Sequence, residues 1–176
     1  MDVHPNDYDR IAEAYAAENE NNFVNAHYER PAMLALAGDV IGRRILDAGC
    51  GAGPLAAELR DRGAVVTGID SSREMLALAR KRLGEDVELY EADLRDRLPS
   101  GDETFDDVVA SLVLHYLQDW SPTLVEFRRV LKPGGRLILS VEHPIIAYTI
   151  QDPLPNYLAT NSYSFEWTFD LSLIHI

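Results

Sequence analysis

Three glycines at alternate positions, Gly49, Gly51 and Gly53, follow a short apolar run that contains the acid Asp47. Glycine adopts backbone angles that other residues resist, and it lets a ligand approach the main chain closely. Pro54 then suits the first turn of a helix, where its missing N–H costs nothing. The pattern predicts a strand, a tight turn and a helix start whose free N–H groups can receive a carboxylate. A ligand with an adenosine part and a small polar tail fits such a site.

A second acid, Asp70, ends the next apolar run, twenty-one residues after Gly49. An acid at this place accepts hydrogen bonds from both ribose hydroxyls in dinucleotide-binding folds. The alternative is that Asp70 caps the helix that follows it, and the two roles are compatible. Ser71 and Ser72 suit the same helix cap. Ser71 is also a candidate cofactor-binding residue.

Two histidines follow later apolar runs and are candidates for chemistry. His115 is the best candidate for a catalytic general base, because the unperturbed pKa of histidine lies near neutrality. A role in the pocket wall is an equal alternative. His143 is expected at the same mouth, near a substrate. The five histidines lack the close spacing of metal ligands and Cys50 is the only cysteine, so no metal site is expected.

Length and charge exclude several classes of protein. The 176 residues carry 16 basic and 29 acidic side chains, which gives a net charge of −13. This length favours one domain, and the acid excess argues against a nucleic-acid partner, which needs clustered Lys and Arg. The sequence contains neither an apolar run that could span a membrane nor an N-terminal signal-peptide pattern. We therefore expect a cytoplasmic protein.

The elements that must position these residues alternate along the chain. Short apolar runs predict strands, and apolar residues three or four apart predict helices. We expect strands at 44–48, 64–70, 86–91, within 105–114 and at 136–141, and helices at 7–20, 28–37, 54–62, 73–83 and 121–131. Strands that alternate with helices form a parallel sheet covered on both faces. The fold class is therefore α/β, a three-layer doubly wound fold with a mostly parallel, Rossmann-like sheet.

Five segments, in this order, resemble class I S-adenosylmethionine-dependent methyltransferases of the group that includes ubiquinone and menaquinone C-methyltransferases. They are ILDAGCGAG at 45–53, VVTGIDSS at 65–72, DVELYEADL at 86–94, FDDVVASLVLHYLQDW at 105–120 and EFRRVLKPGGRLILSVEHP at 126–144. The segment YDRIAEAYAAENE at 8–20 is also similar to the helix that caps the cofactor in that group. The resemblance covers roughly residues 7 to 150 and implies S-adenosylmethionine as cofactor.

The resemblance also implies roles for individual residues. It assigns the glycine turn to the methionine and ribose parts of the cofactor, and Asp47 to that turn or to the amino group of the cofactor. Asp93 is expected to accept the adenine amino group, with a backbone contact from Leu94. Ser111 and Leu112 are expected to lie beside the methionine part of the cofactor.

Two residues from the first thirty are expected to close over the tail of the cofactor. Tyr15 is one of them, although its place in a helical stripe suits the core equally well. Arg30 is the other, and it suits a bidentate bond to the carboxylate of the tail.

The implied activity is methyl transfer to a small molecule, and two alternatives stay open. A nicotinamide-dependent oxidoreductase shares the strand, the glycine turn and Asp70. Its usual turn is GxGxxG rather than GxGxG, and it leaves the EADL and LKPGG segments unexplained. A non-catalytic adenosine-binding module is the other alternative.

The end of the sequence departs from the family pattern. The family sheet has seven strands, the last two forming an antiparallel hairpin, whereas this sequence supplies five and at most part of a sixth. We expect capping helices in 1–40, a cofactor-binding core in 41–142, and a substrate-side loop with a partial strand in 143–170. Residues 171–176, LSLIHI, match the translation of a transposon adapter used for sequencing libraries, and we expect an adapter-derived tail on a truncated domain.

Overall fold

A five-stranded parallel sheet forms the centre of the computed structural model, which describes residues 8–158, 166–169 and 172–175. Its strands are β1 (Arg44–Ala48), β2 (Val65–Asp70), β3 (Glu88–Glu91), β4 (Phe105–Ala110) and β5 (Leu131–Leu139). They lie in the order β3-β2-β1-β4-β5, and every neighbouring pair is parallel. The order changes direction between β1 and β4. In open α/β sheets, ligands bind outside the carboxyl ends of the strands at such a point.

Helices cover both faces of the sheet. The structure contains α1 (Ala12–Asn21), α2 (Arg30–Ala37), α3 (Pro54–Asp61), α4 (Arg73–Leu83), α5 (Ser121–Val130) and α6 (Pro144–Thr149), with a π-helical segment at Phe23–Glu29. Side chains of α2, α3 and α4 pack on one face of the sheet, and those of α5 pack on the other. Adjacent residues of β1 divide between these faces, Ile45 with the first and Leu46 with the second, and both are fully buried. Three layers result, which confirms the α/β fold class.

The start of β5 differs from the prediction. The sequence predicts this strand at 136–141, whereas the strand begins at Leu131 and ends at Leu139. Phe105 pairs with Leu131 and Asp107 with Arg136, so residues 132–135 form an irregularity opposite one residue of β4. Pro133 has no N–H to donate to a ladder, and Gly134 has a φ of 80°. The LKPGG segment therefore ends α5 as predicted but lies within β5 rather than before it.

The segment 143–170 also differs from the prediction, because a loop is expected where α6 forms. Pro144 occupies the first turn of α6, and Nδ1 of His143 accepts a hydrogen bond from the N–H of Ile145 at 3.1 Å. His143 thus caps a helix, and its expected place near a substrate stays a prediction.

Farther along, β6 (Glu166–Phe169) forms inside the predicted strand and pairs antiparallel with β7 (Ser172–His175). The backbone of β7 belongs to the residues that the sequence attributes to an adapter. The other residues of the partial strand that the sequence predicts within 143–170 lie outside the described residues.

A buried acid ties together three strands at the end of the sheet opposite the glycine turn. The side chain of Asp107 in β4 is fully buried. It accepts hydrogen bonds from Nε of Arg43 at 2.5 Å and from Nε of Arg136 at 2.7 Å, and each guanidinium reaches its second oxygen as well. Arg43 precedes β1 and Arg136 lies in β5, so Asp107 fixes the strands whose other ends carry the candidate site.

Candidate functional site

A cavity of about 1,000 Å³ opens at the carboxyl ends of β1, β2 and β4, under the N-terminal segment 8–30. Most of the residues that the sequence predicts for a cofactor line this one cavity: Tyr15, Arg30, Asp47, Gly49, Gly51, Asp70, Ser71, Asp93, Leu94, Ser111 and Leu112. Gly53 and His115 do not line it. The volume lies at the upper end of the range for small-molecule pockets.

The three glycines of the turn all have positive φ, at 75°, 53° and 78°, but the space around their Cα atoms differs. A Cβ on Gly49 would lie 2.5 Å from a side-chain carbon of Val113, and one on Gly53 would lie 3.0 Å from Leu83. Gly49 and Gly53 therefore permit close packing of the turn on its surroundings. At Gly51 a Cβ would meet nothing within 4 Å. Of the three, only Gly51 leaves open space for an added side chain, and the role of the turn in binding a ligand stays a prediction.

Asp70 at the end of β2 is tied to the glycine turn. Its Oδ2 accepts a hydrogen bond from the N–H of Gly51 at 2.8 Å, and its Oδ1 accepts one from the N–H of Ser72 at 2.9 Å. Burial raises the pKa of Asp70, against the effect of these N–H donors. Ser72 is the helix cap, since its Oγ accepts a hydrogen bond from the N–H of Met75 at 3.1 Å. Each oxygen of Asp70 keeps acceptor capacity toward the cavity.

Asp47 lies deeper in the same cavity and is only 1% exposed. Its Oδ2 has no hydrogen-bond partner, and it is the one such buried side-chain atom in the part of the chain that the structure describes. Burial, together with the charges of Asp70 and Glu29, raises the pKa of Asp47 to about 7, although the N–H of Ala56 lowers it. A buried polar atom without a partner is costly, so this oxygen fits a donor group on a ligand.

Glu29, at the end of the π-helical segment, was not found from the sequence. It is 8% exposed and lines the cavity. Its Oε1 accepts hydrogen bonds from Oγ of Ser111 at 2.7 Å and from Oγ of Ser140 at 2.5 Å. The backbone N–H of Leu112, which has a φ of 48°, also donates to Oγ of Ser140 at 3.0 Å. The next residue, Arg30, donates to the side-chain and backbone oxygens of Asn19.

Three tyrosines meet above Asp70, and only Tyr15 was predicted as a site residue. The hydroxyl oxygens of Tyr8 and Tyr116 lie 2.5 Å apart, and the ring centroids of Tyr8 and Tyr15 are 5.1 Å apart in an edge-on contact. Burial raises the pKa of all three phenols, which keeps them neutral. Tyr8 and Tyr15 are seven residues apart and so share a helical face, which was the only signal in the sequence. The cluster forms an aromatic wall of the cavity.

Asp93 follows β3 and faces its neighbour Arg95 as well as the cavity. Its Oδ2 lies 2.5 Å from Nη2 of Arg95, and its Oδ1 accepts a hydrogen bond from the Arg95 N–H at 2.8 Å. The hydrogen bonds from Arg95 lower the pKa of Asp93. Leu94 is buried, and its carbonyl accepts a hydrogen bond from Oγ1 of Thr123 at 2.8 Å. The carboxylate is therefore ionised at the place where an adenine amino group is expected.

His115 lies beside the cavity rather than in its wall. Its ring centroid is 4.3 Å from that of Tyr116, which does line the cavity. Its Nδ1 accepts a hydrogen bond from the N–H of Glu142 at 3.5 Å, and burial lowers its pKa. The ring is thus held as a neutral base that contacts Tyr116 but does not itself line the cavity.

The described residues contain no group of three or more His, Cys, Asp or Glu side chains placed to hold a metal ion. Within the same residues, no helix is both long and apolar enough to cross a membrane. The cavity wall contains seven acidic side chains and two arginines, Arg30 and Arg95. The cavity therefore favours ligands with a positive charge or a donor group over anionic ligands.

An open glycine turn and buried acids at the carboxyl ends of parallel strands define an α/β domain with a site for a small polar ligand. Residues 46–139 match the family described as a methyltransferase domain. The chain belongs to that family, which confirms the resemblance carried by the five sequence segments.

Individual relatives agree with this assignment. The chain is 38% identical over 135 residues to the demethylmenaquinone methyltransferase of Clavibacter sepedonicus, covering 75% of this chain and 55% of that protein. It is 42% identical over 106 residues to a ubiquinone biosynthesis O-methyltransferase of Alkalilimnicola ehrlichii, covering 58% and 43%. The structure of an S-adenosylmethionine-dependent methyltransferase from Mesorhizobium loti matches with a TM-score of 0.61 and 39% identity, covering 65% and 54%. The chain spans about half the length of the curated relatives it matches.

Proposed function

We propose that this chain binds S-adenosylmethionine and transfers its methyl group to a small-molecule acceptor. The observation that carries the proposal is the unpartnered Oδ2 of Asp47, which lies in the cavity behind the open turn at Gly51. The donor has an ammonium group to satisfy such an oxygen and an adenosine part for the acids farther along the sheet edge. Membership of the methyltransferase domain family supports this choice of ligand over a nicotinamide cofactor.

The proposed pose follows the sheet edge from β3 to β4. Asp93 and Leu94 after β3 receive the adenine, and Asp70 at the end of β2 receives the ribose hydroxyls. The ion pair of Asp93 with Arg95 does not oppose this, because the Arg95 side chain is 73% exposed and such surface pairs contribute at most about 1 kcal/mol. Asp47, near the end of β1, receives the amino-acid part.

The methyl group is attached to a positively charged sulfur, which is already a good leaving group. The task of this chain is therefore to hold an acceptor atom in line with the methyl carbon and the sulfur, and to exclude water. Orientation of this kind contributes roughly 7–11 kcal/mol in favourable cases. The neutral rings of Tyr8, Tyr15 and Tyr116 form a wall that is suited to excluding water from the site.

Calorimetric titration with S-adenosylhomocysteine, NADH and NADPH tests the choice of cofactor. We expect one molecule of S-adenosylhomocysteine to bind per chain and neither nicotinamide cofactor to bind. Asp70→Ala should weaken this binding by roughly 1.5–3 kcal/mol, because charge-assisted hydrogen bonds are lost. Glu85→Ala is the matched control, since the Glu85 side chain is 92% exposed and lies outside the cavity wall. Tight NADH binding, or an unchanged affinity in a folded Asp70→Ala variant, would contradict the assignment.

The acceptor is proposed to be a small molecule that is neutral or cationic, given the acid-rich cavity wall. The two curated relatives above are named for menaquinone and ubiquinone chemistry, and a quinone precursor is one candidate of this kind. Incubating cell metabolites with a donor labelled in its methyl group, followed by mass spectrometry, identifies the acceptor. A labelled product that is a protein or a nucleic acid would overturn the small-molecule proposal.

His115 is kept as the candidate general base for acceptors that need deprotonation. His115→Ala should then lower turnover by roughly 10²–10⁴-fold and leave the affinity for S-adenosylhomocysteine unchanged. Single-turnover rates with the acceptor identified above provide the measurement. Unchanged turnover would assign His115 to the support of Tyr116 instead.

A further inference from the structure

Glu29 is a buried carboxylate without a counter-ion. It is 8% exposed, and the described residues place no arginine, lysine or histidine in an ion pair with it. Its Oε1 accepts the hydroxyls of Ser111 and Ser140, whereas its Oε2 makes no hydrogen bond within the described residues. Buried glutamates are almost always paired, because a lone buried charge is costly. The two serines thus fix one oxygen and leave the other for a further donor.

A second acid, Asp47, lines the same cavity, and its oxygen without a partner is itself buried, which is not the case for Oε2 of Glu29. Oδ2 of Asp47 has no hydrogen-bond partner within the described residues, and Asp47 is only 1% exposed. The charge of Glu29 acts on Asp47, whose pKa it helps to raise. The arginine next in the chain, Arg30, donates to Asn19. Two acids that repel each other in a buried place, each with an oxygen to spare, fit a cation from the ligand.

We propose that Glu29 is a specificity-determining residue that binds, together with Asp47, the α-ammonium group of the methyl donor. The inference rests on the proposed function and adds to it a second carboxylate, contributed by the N-terminal segment. An ammonium group has three donors, so it can satisfy Oε2 of Glu29 and Oδ2 of Asp47 at once. Ligands that contain the adenosine part but lack the ammonium group gain nothing from Glu29.

The ammonium group would therefore contact two parts of the fold at once. A ligand that lacks this group cannot make that link. Glu29 belongs to the segment before the sheet, and Asp47 belongs to β1. The serines that hold Glu29 follow β4 and β5, and are 82 and 111 residues away in sequence. Discrimination between the complete donor and its fragments therefore depends on how the N-terminal segment packs on the sheet.

The test is calorimetric titration of Glu29→Gln with two ligands that differ in the ammonium group. S-adenosylhomocysteine has the group, and 5′-methylthioadenosine lacks the whole amino-acid part. The glutamine amide oxygen can still accept both serine hydroxyls, so the variant removes the charge and keeps the anchor. We expect the affinity for S-adenosylhomocysteine to fall roughly tenfold or more, as expected for the loss of a charged hydrogen bond. The affinity for 5′-methylthioadenosine should change less than about twofold.

Glu13→Gln is the matched control, because Glu13 is another acid of the N-terminal segment but is exposed and lies outside the cavity wall. It should leave both affinities unchanged. Equal losses for the two ligands in Glu29→Gln, no loss for either, or a variant that no longer melts cooperatively would each overturn the inference. If the unaltered chain does not bind S-adenosylhomocysteine, the proposed function fails, which is a result distinct from these.

Discussion

Asp47 illustrates, at the scale of a single residue, how a binding site is maintained at the expense of stability. Its carboxyl group is buried beside two other acids, and its pKa is raised to about 7 from the usual value of 3.8. Because the folded chain binds this proton more tightly than the unfolded chain, ionised Asp47 destabilises the fold above pH 7. The penalty becomes smaller as the pH falls from about 7 towards 4, where the carboxyl group is protonated in the folded chain.

Asp47→Asn should therefore stabilise the free protein. The expected gain at about pH 8 is on the order of 2–4 kcal/mol, because one unit of pKa corresponds to about 1.4 kcal/mol. The gain should shrink as the pH is lowered to about 5. Urea unfolding at the two pH values measures it, and the affinity for S-adenosylhomocysteine should fall in the same variant. A loss of stability at pH 8 would show that the carboxylate has a partner in the fold.

Gly49 and Gly51 provide a matched pair for separating packing from ligand binding. Both have positive φ, where an added Cβ costs about 1–2 kcal/mol. Gly49→Ala also forces a carbon to within 2.5 Å of Val113, and such overpacking costs roughly a further 1–3 kcal/mol. Gly51→Ala instead projects its methyl group into open space at the cavity wall.

Gly49→Ala should therefore lower the melting temperature more than Gly51→Ala does. Gly51→Ala should weaken S-adenosylhomocysteine binding while the chain remains folded. Thermal melting followed by titration of each variant measures both effects. Full affinity in Gly51→Ala would place the ligand away from the turn.

At the scale of elements, the sequence predicts those whose signals are local. The apolar run of β1 and the cap and stop signals of α4, Ser72 and Gly84, lie within a few residues of the elements they define. The strand β1 and the helix α4 match their predicted bounds. The start of β5 was missed because it depends on pairing with β4 across an irregularity. Helix α6 was missed because its six residues are too short to show a helical period.

The site residues also divide into those with a local sequence signal and those that depend on long-range contacts. Asp47 and Asp70 lie in the carboxyl-terminal parts of β1 and β2, and the glycine turn follows β1 directly, so the chain order shows them. Glu29 and Tyr116 become site residues only through partners at least 82 residues away, Ser111 for Glu29 and Tyr8 for Tyr116. Such contacts leave no periodic pattern in a single sequence.

The Asp107→Ala variant tests whether the strands that carry the site are stabilised by the ion pairs at their opposite ends. Removing one partner of a buried ion pair costs about 3–5 kcal/mol, because the remaining charges lose their compensation. Arg43 and Arg136 are partly exposed, so Asp107→Ala should cost toward the lower end of that range. Asp106→Ala is the control, since Asp106 pairs with the exposed Lys132 and should cost less than about 1.5 kcal/mol. Chemical denaturation of both variants measures the difference, and equal costs would contradict this role of Asp107.

At the scale of the whole molecule, the cavity forms where the N-terminal segment packs over the edge of the sheet. Oδ1 of Asp9 accepts hydrogen bonds from Oγ of Ser72 at 2.5 Å and from the N–H of Glu74 at 3.2 Å, which joins the segment to the start of α4. Arg82 of α4 pairs with Glu20 and donates to the carbonyl of Ala52 in the glycine turn at 2.9 Å. One helix thus holds both the segment and the turn, and the ligand site lies between them.

A crystal structure of the chain with S-adenosylhomocysteine bound shows whether the cavity holds the methyl donor in the proposed pose. We expect the adenosine along the edge of the sheet, with the ribose hydroxyls on Asp70 and the ammonium group between Asp47 and Glu29. The backbone of Gly51 should lie against the ligand, and the wall formed by Tyr8, Tyr15 and Tyr116 should close over it. Ligand density outside this cavity, or an ammonium group that faces away from Asp47, would contradict the account.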